Sequence, residues 1–88
     1  MVSTNRLLAQ TIWITGASSG VGEGMATVFH REGANVILSG RREDELERVK
    51  ALCTAGVGSV TVVPFDITDD FERDVAVEWV LANFPRID

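Results

Sequence analysis

A short β-rich run, Thr11-Ile12-Trp13-Ile14-Thr15, stops at Gly16, and a glycine-bearing turn then opens into a helical stripe. That juncture constrains the fold more than any other feature. The centre of the run is apolar at consecutive positions rather than alternating ones, the pattern of a parallel strand covered on both faces. Val21, Met25, Val28 and Phe29 recur at i, i+4, i+7 and i+8, which predicts the buried stripe of a helix. Arg31 falls in its last turn and Gly33 just beyond, a favourable C-terminal arrangement. Asn35–Ser39 reads as a second strand, and Glu43 to Ala55 as a second helix with Leu46, Val49 and Leu52 or Cys53 inward. Val57-Gly58 marks a turn before a third strand over Val60–Phe65, with Pro64 near its end because it lacks an N–H. Asp69 is placed to cap a third helix, and Glu72 completes a capping-box-like pair. Phe71, Val75 and Trp79 continue an apolar stripe until Asn83-Phe84-Pro85 ends it.

Strands alternating with helices of this length imply right-handed βαβ units on a parallel sheet, with strand order third, second, first. Repeats, low-complexity tracts and linkers are absent, so residues 1–88 read as one domain with 1–9 as a lead-in. A unit this small buries roughly 60% of the surface its unfolded chain exposes. The net charge of −5 argues against nucleic-acid binding by general electrostatics. Any phosphate recognition must therefore be local. Cys53 is the only cysteine, which rules out an intrachain disulfide and a zinc cluster and suits a reducing compartment. It is expected to be a buried, inert thiol. No apolar run approaches the roughly 20 residues that span a bilayer. Met1 to Gln10 does not resemble a secretory signal, so the expected location is cytoplasmic, with no membrane partner.

The turn Gly16-Ala17-Ser18-Ser19-Gly20-Val21-Gly22 leaves the carboxyl end of a buried strand and opens an amphipathic helix, the setting a phosphate-binding glycine motif requires. Gly16 permits the tight reversal, Gly20 lets a pyrophosphate approach the backbone, and Gly22 lets the helix lie close to the strand. Unpaired N–H groups of the first helical turn, Val21 included, then face the anion, and Ser18 and Ser19 add hydroxyl donors. The bland alternative is a plain tight turn. A nucleotide triphosphatase loop of the form G-x-x-x-x-G-K-[ST] is excluded, since no Lys precedes Lys50.

Thr15-Gly16-Ala17-Ser18-Ser19-Gly20-Val21-Gly22 resembles the TGxxxGxG signature of the short-chain dehydrogenase/reductase family. The likeness continues through Gly33-Ala34, Gly40-Arg41-Arg42, Asp66-Ile67-Thr68 and Phe84-Pro85-Arg86-Ile87-Asp88, covering nearly all the chain from Gln10 onward. The spacing differs from the TGxxGxxG of related nucleotide-sugar epimerases and points to the family's simpler oxidoreductases. The resemblance implies a Rossmann-type three-layer α/β/α fold, of which this chain is the N-terminal βαβαβα half. It also implies that Asp66, at the end of the third strand, contacts the adenine of a dinucleotide, with Ile67 beside the ring. Otherwise Asp66 is an acid capping the next loop and helix.

In such a fold an acid about 20 residues past the glycine turn binds the ribose 2′-hydroxyl and favours NAD. Here that count reaches Gly40, followed by Arg41 and Arg42. A guanidinium there can take a 2′-phosphate in bidentate fashion, so NADP is expected over NAD, with Arg41 the primary contact and Arg42 secondary. Both arginines could instead be solvated surface residues, offset by Glu43 and Asp44.

The family's chemistry uses a Tyr-x-x-x-Lys pair with a Ser and an Asn, and this chain contains no Tyr, so no catalytic residue is assigned. His30 is expected on the first helix, at the surface or partly packed. The chain stops at Asp88, where the family would begin its fourth strand. It is expected to be the NADP-binding N-terminal portion of an oxidoreductase acting on a small carbonyl or alcohol substrate. The alternatives are a catalytically inert NADP-binding module, or a unit that self-associates through the open edge of its first strand.

Overall fold

A computed structural model describes residues 7–84, 86 and 87. Its elements run β1 (Thr11–Thr15), α1 (Gly20–Arg31), β2 (Asn35–Ser39), α2 (Glu43–Leu52), β3 (Val60–Val62) and α3 (Asp70–Asn83). The three strands form one parallel sheet with β2 in the centre, the order anticipated from the strand–helix alternation. Thr11 aligns with Asn35 and Thr15 with Ser39, while Val36 aligns with Val60 and Leu38 with Val62. Among the described strands β1 pairs with β2 alone.

Successive strand residues face opposite sides, and the two sides are filled differently. On one side Ile14, Val36 and Leu38 pack with Ala26 of α1 and with Leu46, Val49 and Cys53 of α2. Ile37 faces the other way and is fully buried. On its side Trp13 donates from Nε1 to Ser39 Oγ at 2.9 Å and meets Phe65 edge-on at 6.3 Å. Burial pushes the Cys53 thiol above its ordinary pKa, as an inert core cysteine requires.

The helices present different faces from those their largest apolar residues suggest. In α1 the buried positions are Gly22, Ala26 and His30, with Phe29 half-buried, while Val21 is 76% exposed and Met25 and Val28 also face outward. The helix is rotated by one residue from the expected stripe because small side chains allow a closer approach to the sheet than bulky ones. In α3 the buried face is also offset by one residue from the expected stripe: Ala76 and Val80 are buried, and Phe71, Val75 and Trp79 are exposed. Those three instead border an apolar groove shared with Val63, Pro64 and Phe65.

His30 is not a surface residue. It is 3% exposed, and its ring Nε2 lies 2.8 Å from the carbonyl of Gly58. A carbonyl only accepts, so Nε2 is the donor of this bond, and Nδ1 is buried without a hydrogen-bond partner. This bond draws the segment after α2 over the end of α1, where a Cβ on Gly56 would collide with the His30 carbonyl. The path explains why α2 stops at Leu52 rather than Ala55: Cys53 N–H already bonds Lys50 in a tightened last turn. Cys53, not Leu52, completes its inner face.

β3 likewise ends at Val62 rather than Phe65. Its hydrogen bonding persists, however, as Val63 N–H bonds Leu38 and Phe65 N–H bonds Gly40, both at 2.9 Å, stepping over Pro64. Asp69 caps α3 by accepting from Glu72 N–H at 3.0 Å. The reciprocal half of the capping box is absent, because the Glu72 carboxylate accepts from Asp66 N–H instead, at 3.2 Å. Pro85 and Asp88, part of the anticipated helix stop and closing segment, and residues 1–6 of the lead-in lie outside the described residues.

Because Leu46 is fully buried and Val21 is not, Leu46→Ala should cost about 2–5 kcal/mol. Val21→Ala should stay within about 0.5 kcal/mol. Urea unfolding of the two variants checks the rotated face of α1, and a large loss at Val21 would contradict it.

Candidate functional site

The carboxyl ends of all three strands open into one cleft of about 570 Å³. β1 contributes Thr15, Gly16 and Ser18; β2 contributes Ser39, Gly40, Arg41 and Arg42; the segment after β3 contributes Phe65, Asp66, Ile67 and Thr68. In open α/β sheets this is where ligands bind, since the helices that follow the strands direct their N-termini there.

The first wall is the bend between β1 and α1. Gly16 has φ +67°, a left-handed conformation that a side chain would strain. Ala17 N–H bonds the Ser39 carbonyl at 3.1 Å and ties the bend to β2. Ser19 is the N-cap of α1: its Oγ accepts from Gly22 N–H at 3.2 Å and donates to the Gly16 carbonyl at 2.9 Å. Its hydroxyl is thus committed to the bend, and Ser18 is the serine that lines the cleft. The first intrahelical bond is Glu23 N–H to Ser19 at 2.8 Å. Among the described residues, the N–H groups of Gly20 and Val21 have no acceptor. They are orphan donors at the positive end of a helix.

Gly22 sets how closely that helix end sits. A Cβ there would lie 2.5 Å from the Gly16 carbonyl oxygen and 2.8 Å from Ala17 Cα. Val21 contributes only its main chain, its side chain pointing to solvent.

The second wall is electropositive. Arg41 and Arg42 follow Gly40 and are exposed. Arg42 pairs with Asp44 at 3.4 Å, with both side chains largely in solvent. No carboxylate among the described residues lies within ion-pair distance of Arg41. The third wall carries Asp66, whose Oδ1 accepts from Thr68 N–H at 2.9 Å and from Thr68 Oγ1 at 2.7 Å. These bonds, the hydroxyl first, hold the Asp66 carboxyl below its ordinary pKa, and the positive charge of Arg41 adds to the effect. Asp66 therefore caps the local loop and faces the cleft at once. Half-exposed Ile67 stands beside it.

The structure thus brings Gly16, Ser18, Arg41, Arg42, Asp66 and Ile67 to one cleft, while Ser19, Gly20, Val21 and Gly22, in the helical turn that follows Ser18, are not among its lining residues. The cleft also includes Thr15, Ser39, Gly40, Phe65 and Thr68, to which the sequence pattern assigned no binding role. The signal was available, since each lies at or just past a strand's carboxyl end.

A family model described as short chain dehydrogenase matches residues 10–88, and the chain belongs to that family. It is 41% identical over 86 residues to the human dehydrogenase/reductase SDR family member 7, covering 93% of this chain and 25% of that relative. The chain therefore spans about a quarter of such a relative's length. Among solved structures, a metagenomic short-chain oxidoreductase in complex with NADP superposes with a TM-score of 0.87 at 29% identity, over 94% of this chain and 38% of that one. A 3-ketoacyl-(acyl-carrier-protein) reductase from Brucella melitensis complexed with NADH superposes with a TM-score of 0.80 at 36% identity, over 93% and 33%.

Gly22→Ala should destabilise the chain by about 1–3 kcal/mol through overpacking against the bend. Gly24→Ala, two residues on in the same helix with nothing within 4 Å of its Cβ position, should stabilise it by about 0.5–1 kcal/mol. Thermal melts of the pair check the assignment, and equal shifts of the same sign would contradict it.

Proposed function

We propose that this chain holds the adenosine-diphosphate half of NADP(H) for an oxidoreductase that moves hydride between that cofactor and a carbonyl or alcohol substrate. The observation that carries this reading is the pair of orphan amides, Gly20 and Val21, at a helix end seated beside an open cleft. An anionic diphosphate is the group whose chemistry such donors match. Gly16 and Gly22 give the bend its shape, Ser19 caps it, and Ser18 adds a hydroxyl from the cleft wall.

The preference for NADP rests on the second wall. β2 leads into Gly40, which has no carboxylate to receive a ribose 2′-hydroxyl, and then into Arg41, whose guanidinium has no ion-pair partner among the described residues. A 2′-phosphate offers such a group a bidentate acceptor. Arg42, already beside Asp44, is the secondary contact. Asp66 accepts from the adenine and Ile67 covers the ring. The related proteins hold NADP in one case and NADH in another, so the discrimination belongs to these side chains and not to the fold. When bound, the cofactor's nicotinamide supplies the hydride chemistry. These 88 residues contain no Tyr, so the proton-transfer pair that the family resemblance implies is not among them.

Arg41→Asp, followed by calorimetric titration, should weaken NADP binding roughly 10- to 100-fold more than NAD binding, the worth of a charge-assisted pair. Equal losses for the two cofactors would remove Arg41 from this role.

A further inference from the structure

We propose that Thr68 is a positioning residue that fixes the Asp66 carboxylate as a discriminator of the base, accepting the amino group of adenine and rejecting hypoxanthine. The proposal rests on the cofactor reading above and adds to it a residue that acts through Asp66.

Asp66 is gripped on three sides. Its N–H donates to Glu72 Oε1 at 3.2 Å, and its carbonyl accepts from Asp69 N–H at 3.0 Å. Its side chain is held by two donors from one residue, Thr68 N–H at 2.9 Å and Thr68 Oγ1 at 2.7 Å. Both fall on Oδ1. An exposed aspartate would ordinarily rotate about two torsions and offer either oxygen in many directions. Here one oxygen is committed, both torsions are fixed, and Oδ2 is left to other donors. The same two bonds keep the group ionised to lower pH than an ordinary aspartate.

An ionised carboxylate only accepts hydrogen bonds. Adenine presents an amino donor on the edge where hypoxanthine presents a carbonyl oxygen. A carboxylate free to swing could avoid that oxygen and admit water between them. One clamped by Thr68 would face it acceptor to acceptor, an arrangement that rejects the wrong base through an unpaired polar group. The hydroxyl is the part of the clamp that a side-chain change can remove, because the backbone N–H stays.

The probes are adenosine 5′-diphosphate and inosine 5′-diphosphate, which share the diphosphate and differ at the base. The full chain should bind the adenine nucleotide more tightly. Thr68→Val, which keeps the β-branch and loses the hydroxyl, should reduce that preference roughly three- to tenfold, by weakening the adenine nucleotide and relieving the penalty on the inosine nucleotide. Thr68→Ser should restore it. The acid limb of adenosine 5′-diphosphate binding should also move to higher pH in Thr68→Val, because loss of the hydroxyl bond raises the Asp66 pKa toward its ordinary value. A merely structural loss would weaken both nucleotides equally and leave the acid limb in place. That outcome, or an undiminished preference in Thr68→Val, overturns the role of Thr68 while the diphosphate site stands. Failure of the unaltered chain to bind either nucleotide overturns the cofactor reading itself, and this inference with it.

Discussion

With no side chain at position 22, the first turn of α1 settles onto the Gly16 carbonyl and Ala17 closer than any Cβ permits. The rest of the molecule is arranged around that contact. It fixes the angle at which the helix leaves the sheet, and Ala26, one turn on, continues the close packing. It also explains why Val21, Met25 and Val28 are displaced to the flank. The helix end is thereby pinned above the strand ends with two of its amides open. Ser19 reinforces the geometry from within, spending its hydroxyl on the bend.

Electrostatics at the cleft are local, as a chain of net charge −5 requires. The positive end of α1 and two arginines after β2 face one carboxylate after β3. The carboxylate is held by its own loop and not by an arginine within ion-pair distance. Arg41 is thus left to an incoming anion, and Asp66 to an incoming donor. Each strand end takes a distinct part: β1 leads to main-chain donors, β2 to cations, and β3 to a fixed acceptor. The parallel order of the sheet puts the three side by side, with the cations of β2 between the other two.

The sequence makes the architecture legible because strand–helix alternation and the glycine turn are local signals. β1 and β2 fall within the expected bounds, and so does the cap at Asp69. The buried faces of α1 and α3 are not legible in the same way. Hydrophobic periodicity ranks residues by size, whereas close approach of α1 to the sheet selects small ones, so Gly22 and Ala26 win over Val21 and Met25; in α3 the buried face is Ala76 and Val80, offset by one position from Val75 and Trp79. His30 is missed because nothing local announces that the segment after α2 will fold back and give it the Gly58 carbonyl. The same fold-back ends α2 early. In the site, glycine and charge patterns identify the bend, the arginines and Asp66. Thr68 is quoted only as part of a motif, since its work is visible only in two hydrogen bonds to a single oxygen.

The central claim is that main-chain amides at one strand-to-helix bend hold a diphosphate, and amide NMR of the isotopically labelled chain tests it directly. On titration with adenosine 5′-diphosphate, the Gly20 and Val21 N–H resonances should shift further than any others and saturate together. If those two resonances stay in place at saturation while others move, the diphosphate is held elsewhere and the account is wrong.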